Sequence, residues 1–98
     1  MIDELILKTQ QHWQAKGLYQ KATNEKQKEK LFEELDEIKT AFLSETEVEQ
    51  KHEIGDAITV LINLCKLNNF TLDECLYLAY TKNIKRDGEM LGGEYVHK

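Results

Sequence analysis

The sequence predicts an all-α protein, a four-helix bundle followed by a short C-terminal extended tail or hairpin. Three observations support this fold class. The chain of 98 residues contains no proline, the residue that most strongly interrupts helices. Apolar residues recur at intervals of three and four, as they do on the buried stripe of a helix. Motifs typical of helix N-termini, with a capping side chain three positions before a glutamate or glutamine, separate the apolar segments.

Gly17 divides the first predicted helix from the second. The first helix runs from Asp3 to about Lys16, and Gly17 ends it as a C-terminal capping residue does. The second begins after Thr23 or Asn24 as the N-cap. Its apolar side chains follow a 4-3-4 spacing and form a stripe that we expect to face the core: Leu31, Leu35, Ile38 and Phe42.

The third predicted helix contains the most apolar part of the chain. Ser44 and Glu47 have the spacing of a capping box, which places the helix start at about residue 45. The helix then continues to Leu67, where the Asn68-Asn69 pair interrupts it.

The fourth helix and the tail complete the chain. Thr71 and Glu74 repeat the capping-box spacing, and we expect the helix to end near Asp87-Gly88. The paired glycines that follow, between short apolar pieces, are typical of a small hairpin or an extended tail.

Length and charge narrow the classes of function. A chain of this size is expected to form one domain, spanning residues 1–98, and to bury its apolar stripes against further copies of itself. The net charge of −5 argues against duplex nucleic acid as the main partner. The longest apolar stretch, from Ala57 to Cys65, is too short to cross a membrane.

The beginning of the chain and the two cysteines bear on its compartment. Asp3 and Glu4 stand where a secretory signal would need basic residues, so we expect a cytoplasmic protein. Cys65 and Cys75 lie in apolar surroundings on successive predicted helices, a context that favours reduced thiols over a structural disulfide.

Two pairs of acidic residues have the spacing of a metal site. Glu34 and Glu37 lie three residues apart on one predicted helix, and Glu53 and Asp56 repeat the spacing on the next. Residues at i and i+3 share a helix face, so two packed helices can bring four carboxylates together. Their mutual repulsion would then require protons or a cation, and oxygen ligands suit Mg²⁺. The alternative interpretation is a solvated acidic surface.

The surroundings of the second pair favour the metal site. Glu53 and Asp56 immediately precede the apolar stretch that begins at Ala57, where the helix is expected to enter the interior. Acids at such a depth need partners. Gly55 lies between them and permits close approach of a neighbouring helix or of a ligand.

These motifs resemble those of a known family. The segment from Lys30 to Ile38 resembles the Lys-Leu-x-Glu-Glu-x-x-Glu-Leu segment of the MazG-like nucleotide pyrophosphohydrolases, and the segment from Glu53 to Asp56 resembles their Glu-x-Gly-Asp. The ending from Arg86 to Val96 is similar to that of short phage- and integron-type members.

The resemblance implies an all-α enzyme, dimeric or tetrameric, that converts a nucleoside triphosphate to the monophosphate and pyrophosphate. Mg²⁺, for which Mn²⁺ can substitute, would be held by Glu34, Glu37, Glu53 and Asp56. Either Glu34 or Glu37 would accept the proton of the attacking water. A role in cleaning the nucleotide pool fits such an enzyme.

The resemblance also indicates which residues contact the substrate. Family members commonly carry a Lys and an Arg on the last helix that meet the triphosphate, which here correspond to Lys82 and Arg86, with Lys85 as the alternate. Trp13 can stack on the base, although a lone tryptophan more often belongs to a core. Glu33 either supports the metal site or faces solvent.

Two other classes of function compete with the enzyme. One is a relative that binds a nucleotide or Mg²⁺ without turning it over. The other is a helical oligomerisation module in which the acidic residues only form a solvated stripe. A rise in melting temperature on adding metal would separate the second class from the others, because a ligand that binds only the folded state stabilises it.

Overall fold

A computed structural model describes all residues from 1 to 98. It contains five helices and one hairpin, in the order α1 Ile2–Ala15, α2 Leu18–Lys21, α3 Asn24–Ser44, α4 Glu47–Leu67, α5 Leu72–Asn83, β1 Gly88–Leu91 and β2 Glu94–His97. The predicted all-α class with a C-terminal hairpin is confirmed. The predicted number of helices is exceeded by one, because residues 18–21 form the additional short helix α2.

Threonines cap the N-termini of helices α3, α4 and α5. The hydroxyls of Thr23, Thr46 and Thr71 each accept a hydrogen bond from the backbone N–H three residues later. The cap predicted at Ser44 is wrong, since Ser44 is the last residue of α3. Thr46, two residues further on, has the extended backbone that an N-cap needs.

The C-terminal helix is shorter than predicted. It ends at Asn83, four residues before Asp87. The chain then forms a turn and enters the hairpin, in which Gly88 pairs with His97 and Leu91 with Glu94. Gly92 and Gly93 occupy the two-residue loop with φ of 59° and 87°, the positive values that a type I′ turn demands.

Helix α4 is the centre of the fold, because it contacts each of the other four helices. The buried apolar side chains are Ala41 of α3 and three residues of α4, Ala57, Val60 and Ile62. Two polar side chains, Glu34 and Asn63, are also buried. Because α3 has no helical neighbour except α4, its buried face is the face that packs against α4.

The predicted core stripe of α3 is only partly correct. Leu31 and Ile38 are half-buried, but Leu35 and Phe42 are 47% and 56% exposed. The adjacent stripe, with Glu34 and Ala41, lies against α4 instead. The small side chain of Ala41 lets the two helices approach closely, and the apolar stripe is left open at the side of the pair.

The other elements are peripheral. Helix α1 packs on α2 and α4, and α5 contacts only α4 among the helices. The hairpin has no close neighbour except its own two strands. None of the helices combines the length and the apolar character required to span a membrane.

Candidate metal centre

Four carboxylates converge where α3 packs against α4. Glu34 and Glu37 lie on α3, and Glu53 and Asp56 lie on α4. One carboxylate oxygen from each lies within 4.8 Å of the corresponding oxygens of the other three. The i, i+3 spacing turns each pair to one side of its helix, and the packing of the two helices makes the pairs face each other.

Two oxygens of this cluster are buried without a hydrogen-bond partner, Oε2 of Glu34 and Oε2 of Glu53. The side chain of Glu34 is only 6% exposed. Burying a carboxylate oxygen without a hydrogen-bond partner costs free energy. Such an oxygen is a position where a bound ligand can supply the missing partner. The donor set is entirely carboxylate oxygen, which suits a hard divalent cation. These residues therefore fit a metal ion.

One cation of the chain already lies at the cluster. Lys30 Nζ is 3.1 Å from Glu34 Oε1 and 3.7 Å from a carboxylate oxygen of Glu33. The hydrogen bond to Glu34 raises the pKa of Lys30, and the charges of Glu34, Glu33 and Glu37 add to the effect. A single ammonium group thus offsets part of a concentrated negative charge.

The pKa of Glu37 is also raised, but here the shift favours the neutral form of the side chain, whereas for Lys30 it favours the charged form. Its protonated form can donate a hydrogen bond to Glu53, and the charge of the Glu34 carboxylate disfavours ionisation. Without a metal, the surroundings of Glu37 thus favour its protonated form more than water does. A cation bound among the four acids would oppose this shift.

His52 lies at the edge of the cluster. Its Nε2 is 3.7 Å from Asp56 Oδ1, and 67% of its side chain is exposed. Together with Glu49 and Glu53 it forms a second group whose potential ligand atoms lie within 4.8 Å of one another. This group shares Glu53 with the main cluster and therefore belongs to the same site.

A cavity of about 510 Å³ opens beside the carboxylates. Glu34 and Asp56 line one side, and Trp13 and Lys30 also contribute to its wall. The remaining lining residues come from α2, α3 and α4: Leu18, Lys26, Gln27, Thr59, Val60 and Asn63. A volume of this size accommodates a small organic ligand. The largest cavity, of about 640 Å³, is a more apolar groove bordered by α3, α4 and α5, and none of the four acids lines it.

A partly buried hydrogen bond holds Asn63, which lines the cavity. The hydroxyl of Tyr19 donates to Asn63 Oδ1 at 2.6 Å, and Asn63 is only 3% exposed. This contact joins α2 to the middle of α4. Burial raises the pKa of Tyr19, so that its hydroxyl remains a donor.

The structure separates the remaining predicted site residues from the cluster. Lys82 lies in the last turn of α5, and Lys85 and Arg86 lie beyond the end of that helix rather than on it. None of the three forms an ion pair with the four acids or lines the cavity beside them. Glu33 is exposed, and its only ion-pair partner is Lys30.

The sequence did not predict that Lys30, Lys26 and Asn63 lie at the site. The first of these had a detectable signal, since Lys30 lies four residues before Glu34, the spacing of an ion pair on a helix. Asn63 interrupts an apolar stretch, a pattern that indicates a buried polar contact but does not identify Tyr19 as the partner.

The fold and the site together define an all-α protein with a carboxylate cluster able to hold a metal ion next to a ligand-sized cavity. The MazG nucleotide pyrophosphohydrolase domain matches residues 22–91. The chain therefore belongs to the MazG nucleotide pyrophosphohydrolase family. No curated protein and no solved structure matches it significantly. The matched range includes α3, α4 and α5 and thus all four acids, while Trp13 lies outside it.

Proposed function

We propose that this chain is a Mg²⁺-dependent nucleoside triphosphate pyrophosphohydrolase that converts a nucleoside triphosphate and water to the monophosphate and pyrophosphate. The observation that carries the proposal is the cluster of four carboxylates with two buried, unpartnered oxygens, Glu34 Oε2 and Glu53 Oε2. Family membership supports the class of reaction. The proposed enzyme is a single domain over residues 1–98.

Glu34, Glu37, Glu53 and Asp56 would hold the metal. Bound there, Mg²⁺ or Mn²⁺ would supply charge neutralisation for the triphosphate oxygens and lower the pKa of a water molecule. The two unpartnered oxygens come from different helices, so that ligation by both would also tie α3 to α4.

Glu37 is the better candidate for the proton acceptor of the two carboxylates on α3. Glu34 is buried, and its Oε1 is already paired with Lys30. Glu37 is exposed, so its carboxylate remains accessible to a water molecule. In the proposed reaction Glu37 accepts the proton of the water that attacks the α-phosphorus, and pyrophosphate departs.

The cavity beside the cluster would receive the nucleoside. Trp13 is half-buried on its wall and offers a ring face for stacking on a base. Lys26 and Lys30 line the same cavity and would face the phosphates from the α3 side.

We further propose that the active form is a homodimer or homotetramer. Only six of the 98 residues are buried in a single chain. Large apolar side chains stay exposed along two helices: Ile54, Ile58 and Leu61 on α4, with Leu76, Tyr77, Leu78 and Tyr80 on α5. In an oligomer, Lys82 and Arg86, or Lys85 as the alternate, would neutralise the departing pyrophosphate from a neighbouring chain.

The test is pyrophosphate release from a panel of ribo- and deoxyribonucleoside triphosphates, with Mg²⁺ and with a chelator. We expect Mg²⁺-dependent release that falls about 100-fold or more in Glu37→Gln. Asp36→Asn is the matched control, because Asp36 is an exposed acid of α3 next to Glu37 but outside the cluster. Asp36→Asn should retain wild-type activity.

Pyrophosphate release and the melting temperature, measured on the same protein, together decide between the enzyme and a binding module. If no triphosphate is hydrolysed while Mg²⁺ still raises the melting temperature of the wild type, the chain binds metal without this turnover. Neither release nor a metal-dependent rise in melting temperature would support a helical oligomerisation module instead.

A further inference from the structure

Two thiols meet where α4 joins α5. Cys65 lies in the last turn of α4, and Cys75 lies in the first part of α5. Their Sγ atoms are 3.7 Å apart, within hydrogen-bond distance for thiols. Neither cysteine contributes to the carboxylate cluster or to the cavity beside it. The proposed reaction therefore gives this pair no role.

The pair has one accessible and one protected member. Cys75 is exposed, whereas Cys65 is half-buried. Both line the apolar groove of about 640 Å³ that α3, α4 and α5 border, and Cys65 also borders a smaller cavity of about 200 Å³ next to α1. A dissolved reagent can thus reach Cys75 first.

Within a single chain, helix α5 packs against few other elements. Among the helices it contacts only α4, to which residues 68–71 connect it. Asn69 in this connection has φ of 60°, which favours Asn or Gly. No residue of α5 is buried. Within a single chain, α5 is therefore held mainly by its contact with α4.

We propose that Cys65 and Cys75 are a thiol–disulfide exchange site, which forms a reversible disulfide by reaction with a low-molecular-weight disulfide such as glutathione disulfide, and that the bond fixes α5 on α4. Closing the Sγ–Sγ distance from 3.7 Å to the bond length of about 2.05 Å requires only a small movement of the two side chains. This proposal does not depend on the proposed function.

The chemistry consists of two exchange steps. The Cys75 thiolate attacks one sulfur of glutathione disulfide, which forms a mixed disulfide on Cys75 and releases one glutathione. Cys65 then gives its proton to solvent, and its thiolate attacks Cys75 Sγ, which releases the second glutathione. The two protein thiols are oxidised by two electrons in total, and glutathione disulfide is reduced to two glutathione molecules.

The burial of Cys65 bears on the second step. Burial, followed by the hydrogen bond to Cys75, raises the pKa of Cys65 to about 11. In the mixed disulfide Cys75 no longer carries a thiol, so of these causes burial remains. Burial still favours the thiol form of Cys65, whereas the thiolate is the nucleophile. We expect closure of the disulfide to accelerate about tenfold between pH 7 and pH 8.

The experiment uses the full chain, reduced and then incubated with glutathione disulfide. We expect the intact mass to fall by two hydrogens, no change in chain size on a non-reducing denaturing gel, and full reversal by dithiothreitol. The melting temperature of the oxidised chain should rise by on the order of 10 °C, because the disulfide closes a short loop.

Two single variants isolate the steps. Cys65→Ser should stop at a stable glutathione adduct on Cys75, and Cys75→Ser should form no disulfide within the chain and react more slowly. A wild-type chain that also stops at the adduct, or that forms disulfides between chains, would overturn the proposed exchange site. An internal disulfide without a rise in melting temperature would overturn its effect on α5.

Discussion

Lys30 Nζ lies 3.1 Å from Glu34 Oε1, while the second oxygen of the same carboxylate is buried without a partner. One oxygen of the Glu34 carboxylate is thus paired with a cation of the chain, and the same side chain belongs to the cluster with Glu37, Glu53 and Asp56. Loss of Lys30 should therefore have opposite effects on stability and on metal binding. The metal-free cluster loses its nearest cation, whereas an added metal ion no longer competes with that cation.

For Lys30→Gln we therefore expect lower stability without metal and tighter binding of Mg²⁺. The loss should be about 1 kcal/mol, because half of the Lys30 side chain is exposed and solvent screens the ion pair. Urea unfolding in chelator measures the first effect, and calorimetric titration with Mg²⁺ measures the second. Lys28→Gln is the control, since Lys28 pairs with Glu25 away from the cluster. Equal effects of both variants would contradict the role of Lys30.

Replacing Glu37 should stabilise the metal-free chain at neutral pH. Its pKa in the folded chain is raised above the ordinary value of 4.5, so the folded state binds this proton more tightly than the unfolded state does. Stability accordingly falls as the pH rises from about 4.5 through the folded pKa. Glu37→Gln removes that loss.

Melting curves in chelator across the pH range check this sign. Glu37→Gln should melt above the wild type at pH 7 to 8 and match it near pH 4. With Mg²⁺ the order should reverse at pH 7, because the variant lacks a ligand. A variant that melts below the wild type in chelator at every pH would show that Glu37 is not strained by its acidic neighbours.

Enlarging Ala41 should separate α3 from α4. Ala41 is fully buried against α4, in the stripe that also contains Glu34. We expect Ala41→Leu to destabilise the chain by about 1–3 kcal/mol through overpacking and to weaken the Mg²⁺-dependent rise in melting temperature as well. Leu43→Ala is a suitable control because Leu43 is 80% exposed. If Ala41→Leu destabilises the chain but leaves metal binding unchanged, metal binding does not depend on the spacing of α3 and α4.

Trp13 distinguishes base stacking from a purely structural role. If the ring contacts the nucleotide, Trp13→Ala should raise KM about tenfold or more with a smaller effect on kcat, since stacking on a base contributes about 1–3 kcal/mol. Trp13→Phe, which keeps a ring, should recover part of the affinity. Steady-state kinetics with the best triphosphate of the panel provide the measurement, and a loss of melting temperature with unchanged KM would assign Trp13 to the core.

The sequence was sufficient for much of the site because short-range geometry places its parts. The i, i+3 spacing alone puts Glu34 beside Glu37 and Glu53 beside Asp56 on any regular helix. The spacing of Thr71 and Glu74 correctly identified the start of α5, where Thr71 accepts a hydrogen bond from the Glu74 N–H. These relationships involve neighbours within one helical turn and need no knowledge of the fold.

The predictions that failed depend on competing local signals. Ser44 and Thr46 are both hydroxyl residues near a helix start, and only the backbone conformation selects Thr46 as the cap. The last helix was expected to reach Asp87, yet it ends at Asn83, where the chain turns towards the hairpin. No residue near Asn83 carries a strong termination signal such as glycine or proline.

What the sequence by itself determined is the all-α class and the pairing of acids along each helix, because these follow from periodicity within a few residues; for the C-terminus it left a hairpin and an extended tail as alternatives. What only the tertiary structure decided is which stripe of α3 faces α4. The apolar stripe with Leu35 and Phe42 was the natural choice, but the stripe with Glu34 and Ala41 is buried instead. The physical reason is that burial depends on helix spacing: a small residue at the crossing allows close contact, and this contact brings the acids of α3 and α4 within reach of each other.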